Sequence, residues 1–340
     1  MLLPNQLKFS SNDNDLRMLG RKELSWSSES LIEFRHAVCS RNQKSSWESF
    51  VIDLENAALT IVGLARNCES VIGSEIAKID SAFDSCHSRN WIVVESDSDD
   101  GTTEVLRSLE KNMDLRMISH GRLRDRYPLR TDRLAYCRNS YLDAIDSDPR
   151  TPRCDFVVVA DLDGMNSSIT RESVRSCWDP KLDWDACFAN QAGTYYDLWA
   201  LRHSSWCPGD HIKTYHFLRN YGMREHRARE AAVNGLQITI PPESEPIEVD
   251  SAFGGLGIYK REIIDGCRYV GKDEAENEIC EHVPFHATMR ERDRRLLIVP
   301  SFINASWHEH NTQNTPTKSF FRSVRSSMIM GLDALKTMAP

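Results

Sequence analysis

The chain has 340 residues, 40% hydrophobic and 27% charged, with a formal net charge of -8. This is the composition of a globular protein large enough for one sizeable α/β domain with appendages, and its acidity excludes a general nucleic-acid binder. No apolar run approaches the roughly 18 residues of a membrane span, and the first residues lack the charged-then-apolar pattern of a signal peptide, so a cytoplasmic location is expected. The ten cysteines are scattered without a CxxC pair and read as free, mostly buried thiols.

Residues 1–56 are polar and serine-rich, with Trp26, Trp47 and Phe50 as large anchors, and read as an N-terminal extension. Leu59–Ala65 is a first strand, and Val71, Ile72, Ile76, Ile79 and Phe83 fall at helical spacing after it. Trp91–Val94 is a second strand, followed by an acidic turn through Gly101 and a helix to Leu109 capped by Thr102 or Thr103. A short strand over Leu115–Ile118 precedes an arginine-rich stretch and a helix over Asp132–Ile145. Arg130, Arg133 and Arg138 cannot share one face of that helix, so at least one is expected to be merely solvated.

Phe156–Gly164 is the most informative stretch: five apolar residues, three of them β-branched, run straight into Asp161-Leu162-Asp163. Such a run predicts a strand covered on both faces, and its carboxyl end is where open α/β sheets bind ligands. Residues two apart on a strand share a side, so the two carboxylates offer paired oxygen donors to a hard divalent cation. The alternative is an Asp-Gly turn with no chemistry.

Beyond it the pattern is less regular, with strands at Ala186–Ala189, Ser251–Tyr259 and Leu296–Phe302, a polar helical stretch over His211–Val233, and a turn at Pro241-Pro242. The alternation over residues 59–163 predicts right-handed crossovers and a largely parallel sheet. Residues 319–338 form a basic amphipathic segment, which either packs on protein or lies on an anionic membrane surface.

Leu64-Ala65-Arg66-Asn67, Asp99-Asp100-Gly101-Thr102, the DxD at Asp161 to Asp163, the glycine-rich Ser251–Gly257 and the later Glu281-His282 occur in an order that resembles GT-A fold, nucleotide-sugar-dependent glycosyltransferases of the family-2 type. The run Tyr195–Arg202 is similar, faintly, to capsule-associated mannosyltransferases. The resemblance implies an α/β, Rossmann-like mixed central sheet flanked by helices over residues 57–312. Residues 57–166 would be the nucleotide-binding half and 167–312 the acceptor half, with the extension before and a C-terminal helix, 313–340, after. It further implies transfer, with inversion, of a sugar from a UDP- or GDP-linked donor to a saccharide or lipid-linked acceptor in cell-surface polysaccharide or glycoconjugate synthesis, with Mn2+ or Mg2+ as cofactor.

In that resemblance Ala65, Arg66, Glu95 and Asp97 hold the nucleoside. Arg133 and Arg138 add charge for the diphosphate, and Leu162, Gly254 and Gly255 flank the donor. Asp161 and Asp163 hold the metal, joined by His308 or His310. Glu281 is the expected base, with His282 standing where a second acid is usual. The other readings are a nucleotidyltransferase of related fold, which usually carries a glycine- and lysine- or arginine-rich loop after its first strand, and a catalytically inactive nucleotide- or carbohydrate-binding protein. Peripheral membrane contact through 319–338 and a homo-oligomer are further expectations.

Overall fold

A computed structural model describes residues 52–149, 151 and 153–306. Most of the expected extension, the segment 319–338, and His308 and His310 lie outside the described residues.

The parallel half forms as the alternation predicts. Strands β1 (Ala58–Ala65), β2 (Ser88–Glu95), β3 (Leu115–Ser119) and β4 (Phe156–Asp161) pair in parallel, linked by helices α1 (Ile72–Ala82), α2 (Thr102–Glu110) and α3 (Arg130–Ser147). A short helix, α4 (Arg171–Arg175), then leads to β5 (Ala186–Gln191). Helices α5 (His211–Asn220) and α6 (Glu225–Ala232) follow, then β6 (Ile247–Glu248), β7 (Leu256–Lys260), α7 (His282–Arg290) and β8 (Leu296–Ala305). All eight strands lie in one sheet of order β3-β2-β1-β4-β7-β5-β8-β6, with β7 antiparallel to both β4 and β5. The expected α/β fold with a mixed central sheet flanked by helices is therefore what forms, and residues 57–166 and 167–306 share that sheet.

The continuous apolar run of β4 is explained by cover on both faces. Val157 and Val159 enter one hydrophobic cluster with Ala135, Tyr141 and Leu142 of α3, while Phe156, Val158 and Ala160 enter another with Ile72, Ile76 and Ile79 of α1. No helix of the described residues is long and apolar enough to cross a membrane.

Several local expectations are corrected. The segment 251–259 becomes a strand only at Leu256, because Gly254 and Gly255 take left-handed φ values of 68° and 86°. The polar stretch after His211 breaks into α5 and α6 around Gly222, whose φ is 86°. β8 continues past Phe302 to Ala305. Gly101, not Thr102 or Thr103, caps α2. The Thr102 hydroxyl instead accepts the Cys68 N–H at 2.8 Å and donates to Asp100 at 2.5 Å, fastening the β1–α1 loop to the β2–α2 loop.

Candidate active site

In-register pairing brings the carboxyl ends of three parallel strands together: Ala65 is opposite Glu95, and Leu64 opposite Asp161. The residues that follow open into a cavity of about 350 Å3 lined by Arg66, Ser96, Asp97 and Asp163 from these ends. Arg130, Arg133 and Arg138 of α3 join them, as do Tyr196, Asp197 and Trp199 from the loop after β5, Phe253, and Glu281 and His282 at the start of α7. This is the crevice where an open α/β sheet binds ligands.

Leu162 is 2% exposed and packs over β1 where Gly63 lies; a Cβ on Gly63 would meet Leu162 Cδ1 at 2.6 Å. Its neighbours accordingly face the other way, with the Asp161 side chain 35% exposed and Asp163 exposed. The recess of Asp161 in the cavity, and next the Asp163 carboxylate, push its carboxyl up to about 8, against the opposing pull of Arg138 at 3.7 Å. Asp197 and Glu281 add to that upward push. A site with this surplus of anionic oxygen favours a cation.

Arg138 is buried beneath the acids. Its Nε donates to Glu281 Oε1 at 2.9 Å, and the rings of Phe253 and Tyr269 flank the guanidinium with centroids at 5.4 and 5.5 Å. Glu281, at 3% exposure, precedes α7 and gives it no side-chain cap. His282 stacks on Phe253 at 4.1 Å, both ring nitrogens lack a hydrogen-bond partner, and burial drives its imidazole well below the ordinary range. His286, one turn on, is bonded through Nδ1 to Ser251 Oγ at 2.8 Å and through Nε2 to the Tyr259 hydroxyl at 2.9 Å.

On the nucleotide side, Asp97 is 2% exposed with a left-handed φ of 59°. Its Oδ1 accepts the Arg124 backbone N–H at 3.0 Å and the Arg124 Nε–H at 3.2 Å, whereas Oδ2 has no hydrogen-bond donor and lies 3.8 Å from Arg133 Nε. Arg133 itself donates to the carbonyls of Tyr127 and Pro128 at 2.6 and 2.7 Å. Arg66 and Arg130 are exposed at the cavity. All three α3 arginines line it, Arg130 as an exposed side chain at the start of the helix.

Three expected residues are placed elsewhere. Glu95 is buried, taking the Ser98 N–H at 3.1 Å and the Ser119 hydroxyl at 2.6 Å, so its carboxylate braces the loop and does not line the cavity. Gly254 and Gly255 do not line it either; they shape the turn behind it. A Cβ on Gly254 would lie 2.6 Å from the Ala189 carbonyl oxygen, and the Gly255 carbonyl accepts the Asp161 N–H at 2.9 Å.

Asp197 is a functional candidate that sequence reasoning left unassigned within the Tyr195–Arg202 run. Oδ2 accepts the Gly254 N–H at 3.0 Å and Oδ1 the Ala200 N–H at 3.4 Å. Burial, opposed by those two N–H groups, raises its carboxyl above the usual range. Beneath the site Asn166, Gln191 and Asn304 form a fully buried amide network: Asn166 Nδ2 donates to the Asp161 carbonyl, and Asn304 Nδ2 to Asn166 Oδ1 and the Gly254 carbonyl. Among the described residues no cluster of three or more His, Cys, Asp or Glu has the geometry of a metal site. Two carboxylates suffice for Mg2+ or Mn2+ when substrate phosphates complete the shell, so the donor set fits such a cation bound together with a diphosphate.

Neither a family model nor a curated protein matches the sequence. Among similar solved structures is a mannosyltransferase from Pyrobaculum calidifontis in complex with GDP-Man and Mn2+, at 16% identity and a TM-score of 0.40 over 81% of this chain and 63% of that one. Residues 1-349 of S. aureus TarS match at 12% and 0.42, over 73% of this chain and 60% of that one. Glucosyl-3-phosphoglycerate synthase from Mycobacterium tuberculosis, in complex with uridine diphosphate, matches at 16% and 0.34, over 74% and 72%. The chain thus spans somewhat over three fifths of the first of these and three fifths of the second.

Proposed function

We propose that the chain is a metal-dependent glycosyltransferase that takes a sugar from a nucleoside diphosphate donor. The observation that carries this reading is the meeting, in one cavity, of the Asp161 and Asp163 carboxylates with Arg66 and Arg130, neither of them ion-paired among the described residues, and with the unpartnered Asp97 Oδ2. A nucleoside diphosphate needs this combination: a buried acceptor for base or ribose donors, and cationic groups for the phosphates.

In this reading Asp97 receives an N–H or hydroxyl of the nucleoside, and Arg66, Arg130 and Arg133 surround the diphosphate. Asp161 and Asp163 hold Mn2+ or Mg2+, which when bound neutralises charge on the departing diphosphate. Glu281 fixes Arg138 so that its guanidinium stays close to Asp161. Trp199 and Tyr196, both half-buried, offer the aromatic surface on which a sugar ring packs.

Calorimetric titration of UDP and of GDP, each with and without Mn2+, tests the reading. Wild type is expected to bind one nucleotide at least tenfold more tightly with the metal, and Asp163→Ala to lose that gain. Equal affinity with and without metal in wild type would refute the metal assignment, and no binding of either nucleotide would refute the donor class.

A further inference from the structure

We infer that Asp197, not Glu281, is the general base that removes the acceptor hydroxyl's proton; the assignment rests on the transferase reading above. Both carboxylates line the same cavity, but they are held differently. Glu281 is 3% exposed, against half-burial for Asp197, and its Oε1 is tied into a buried ion pair with the Arg138 guanidinium at 2.9 Å. Asp161 stands with Asp163 at the cation position, 3.7 Å from the same guanidinium.

Asp197 is only half-buried and, among the described residues, makes no ion pair. Its oxygens are fixed by single backbone N–H groups, of Gly254 at 3.0 Å and Ala200 at 3.4 Å. Each carboxylate oxygen carries two lone-pair sites, so both retain one for a hydroxyl. The Gly254 N–H is aimed by a left-handed turn that a side chain would disrupt, since a Cβ there would meet the Ala189 carbonyl at 2.6 Å. Two residues on, Trp199 brings its indole to the cavity wall, with its Nε1 buried and without a hydrogen-bond partner. A carboxylate with its oxygens held in place and lone pairs still open, beside aromatic surface on the same short loop, supplies parts that an acceptor saccharide requires.

In the step itself the acceptor O–H proton passes to an Asp197 oxygen as the acceptor oxygen bonds to the anomeric carbon. The bond from that carbon to the diphosphate oxygen breaks, and its electron pair leaves with the nucleoside diphosphate. A single displacement of this kind inverts the anomeric centre.

Methanol and water serve as acceptor probes, with UDP-glucose, UDP-N-acetylglucosamine and GDP-mannose as donors in Mn2+. For the donor turned over, Asp197→Asn is expected to bind the matching nucleotide within about twofold of wild type while kcat for methyl glycoside formation falls about 10²–10⁴-fold, the usual contribution of a positioned base. Asp197→Glu should recover part of that loss, and the methyl glycoside should carry the inverted configuration. Turnover by Asp197→Asn within threefold of wild type would overturn the assignment and leave the transferase reading standing. So would retained configuration, or a folded Glu281→Gln variant that loses activity while Asp197→Asn keeps it. A wild type that binds neither nucleotide, or binds one without turning over any donor, would overturn the transferase reading and this assignment with it.

Discussion

Arg138 concentrates much of the electrostatics of this protein in one side chain, bonded to Glu281, adjacent to Asp161 and flanked by two aromatic rings. Removing one partner of a buried ion pair leaves the other charge without compensation, at about 3–5 kcal/mol. Arg138→Ala is therefore expected to lower unfolding free energy by about that amount in urea titrations. The Arg138→Met/Glu281→Leu double variant should lose clearly less than the sum of the two single changes. Gly254→Ala makes a different demand, forcing a side chain into a left-handed φ of 68° and against the Ala189 carbonyl. A loss of about 1–3 kcal/mol is expected from such backbone strain, and circular-dichroism melts would register it.

At this scale, what the sequence reveals depends on how local the cause is. Asp161 and Asp163 can be recognised because the strand that aims them is written in the residues just before them. The pairing of Arg138 with Glu281 spans 143 positions and that of Asp197 with Gly254 spans 57, so nothing near either residue signals it. The acidic loop misled for a related reason. Glu95 ends β2 and Asp97 follows two residues later, yet one is turned inward to Ser119 while the other is left with an unpartnered oxygen.

Among the elements, α7 carries the clearest consequence for stability. It presents His286 to the core, 0% exposed, between Ser251 and Tyr259, with Phe188, Phe285 and His282 around it and Arg138 as the nearby charge. Burial, then Arg138, lowers this imidazole from 6.5 to about 3. Because the folded value lies below the unfolded one, the group costs nothing above pH 6.5. As pH falls from about 6.5 toward 3, the unfolded chain gains a proton that the folded chain refuses, and stability drops by up to about 1.4 kcal/mol per pH unit. His286→Gln should remove one proton's worth of that slope. The check is the difference between wild type and variant in urea midpoints at pH 7, 6 and 5; parallel curves would contradict the burial of a neutral ring. Helical periodicity discloses α1 and α3, but α7 is only nine residues long, carries Pro284 in its first turn and buries two histidines beside Phe285 and Met289, so its burial follows from its neighbours more than from its pattern.

For the whole molecule, the sheet order decides how far the two expected halves are separable. β4 has β1 on one side, but its other edge, Phe156–Ala160, is filled by Leu256–Lys260 of β7. A 57–166 fragment would expose that edge and lose Trp178 and Trp184 from against Phe156. It is expected to give neither a cooperative melt nor a monomeric peak in gel filtration, and a folded monomeric fragment would refute this. The strand–helix alternation made the parallel half readable in advance. The position of β7 was not readable, because a late antiparallel strand inserted at the centre leaves no trace in local periodicity.

That insertion also sets an order of events during synthesis. The central gap beside β4 closes only after residue 260 has been made, 99 positions after Asp161. At ~5–20 residues per second a ribosome takes roughly 5–20 s to supply the missing strand. Throughout that interval an apolar strand edge stands open on the nascent chain, where it can pair with another chain unless a chaperone covers it.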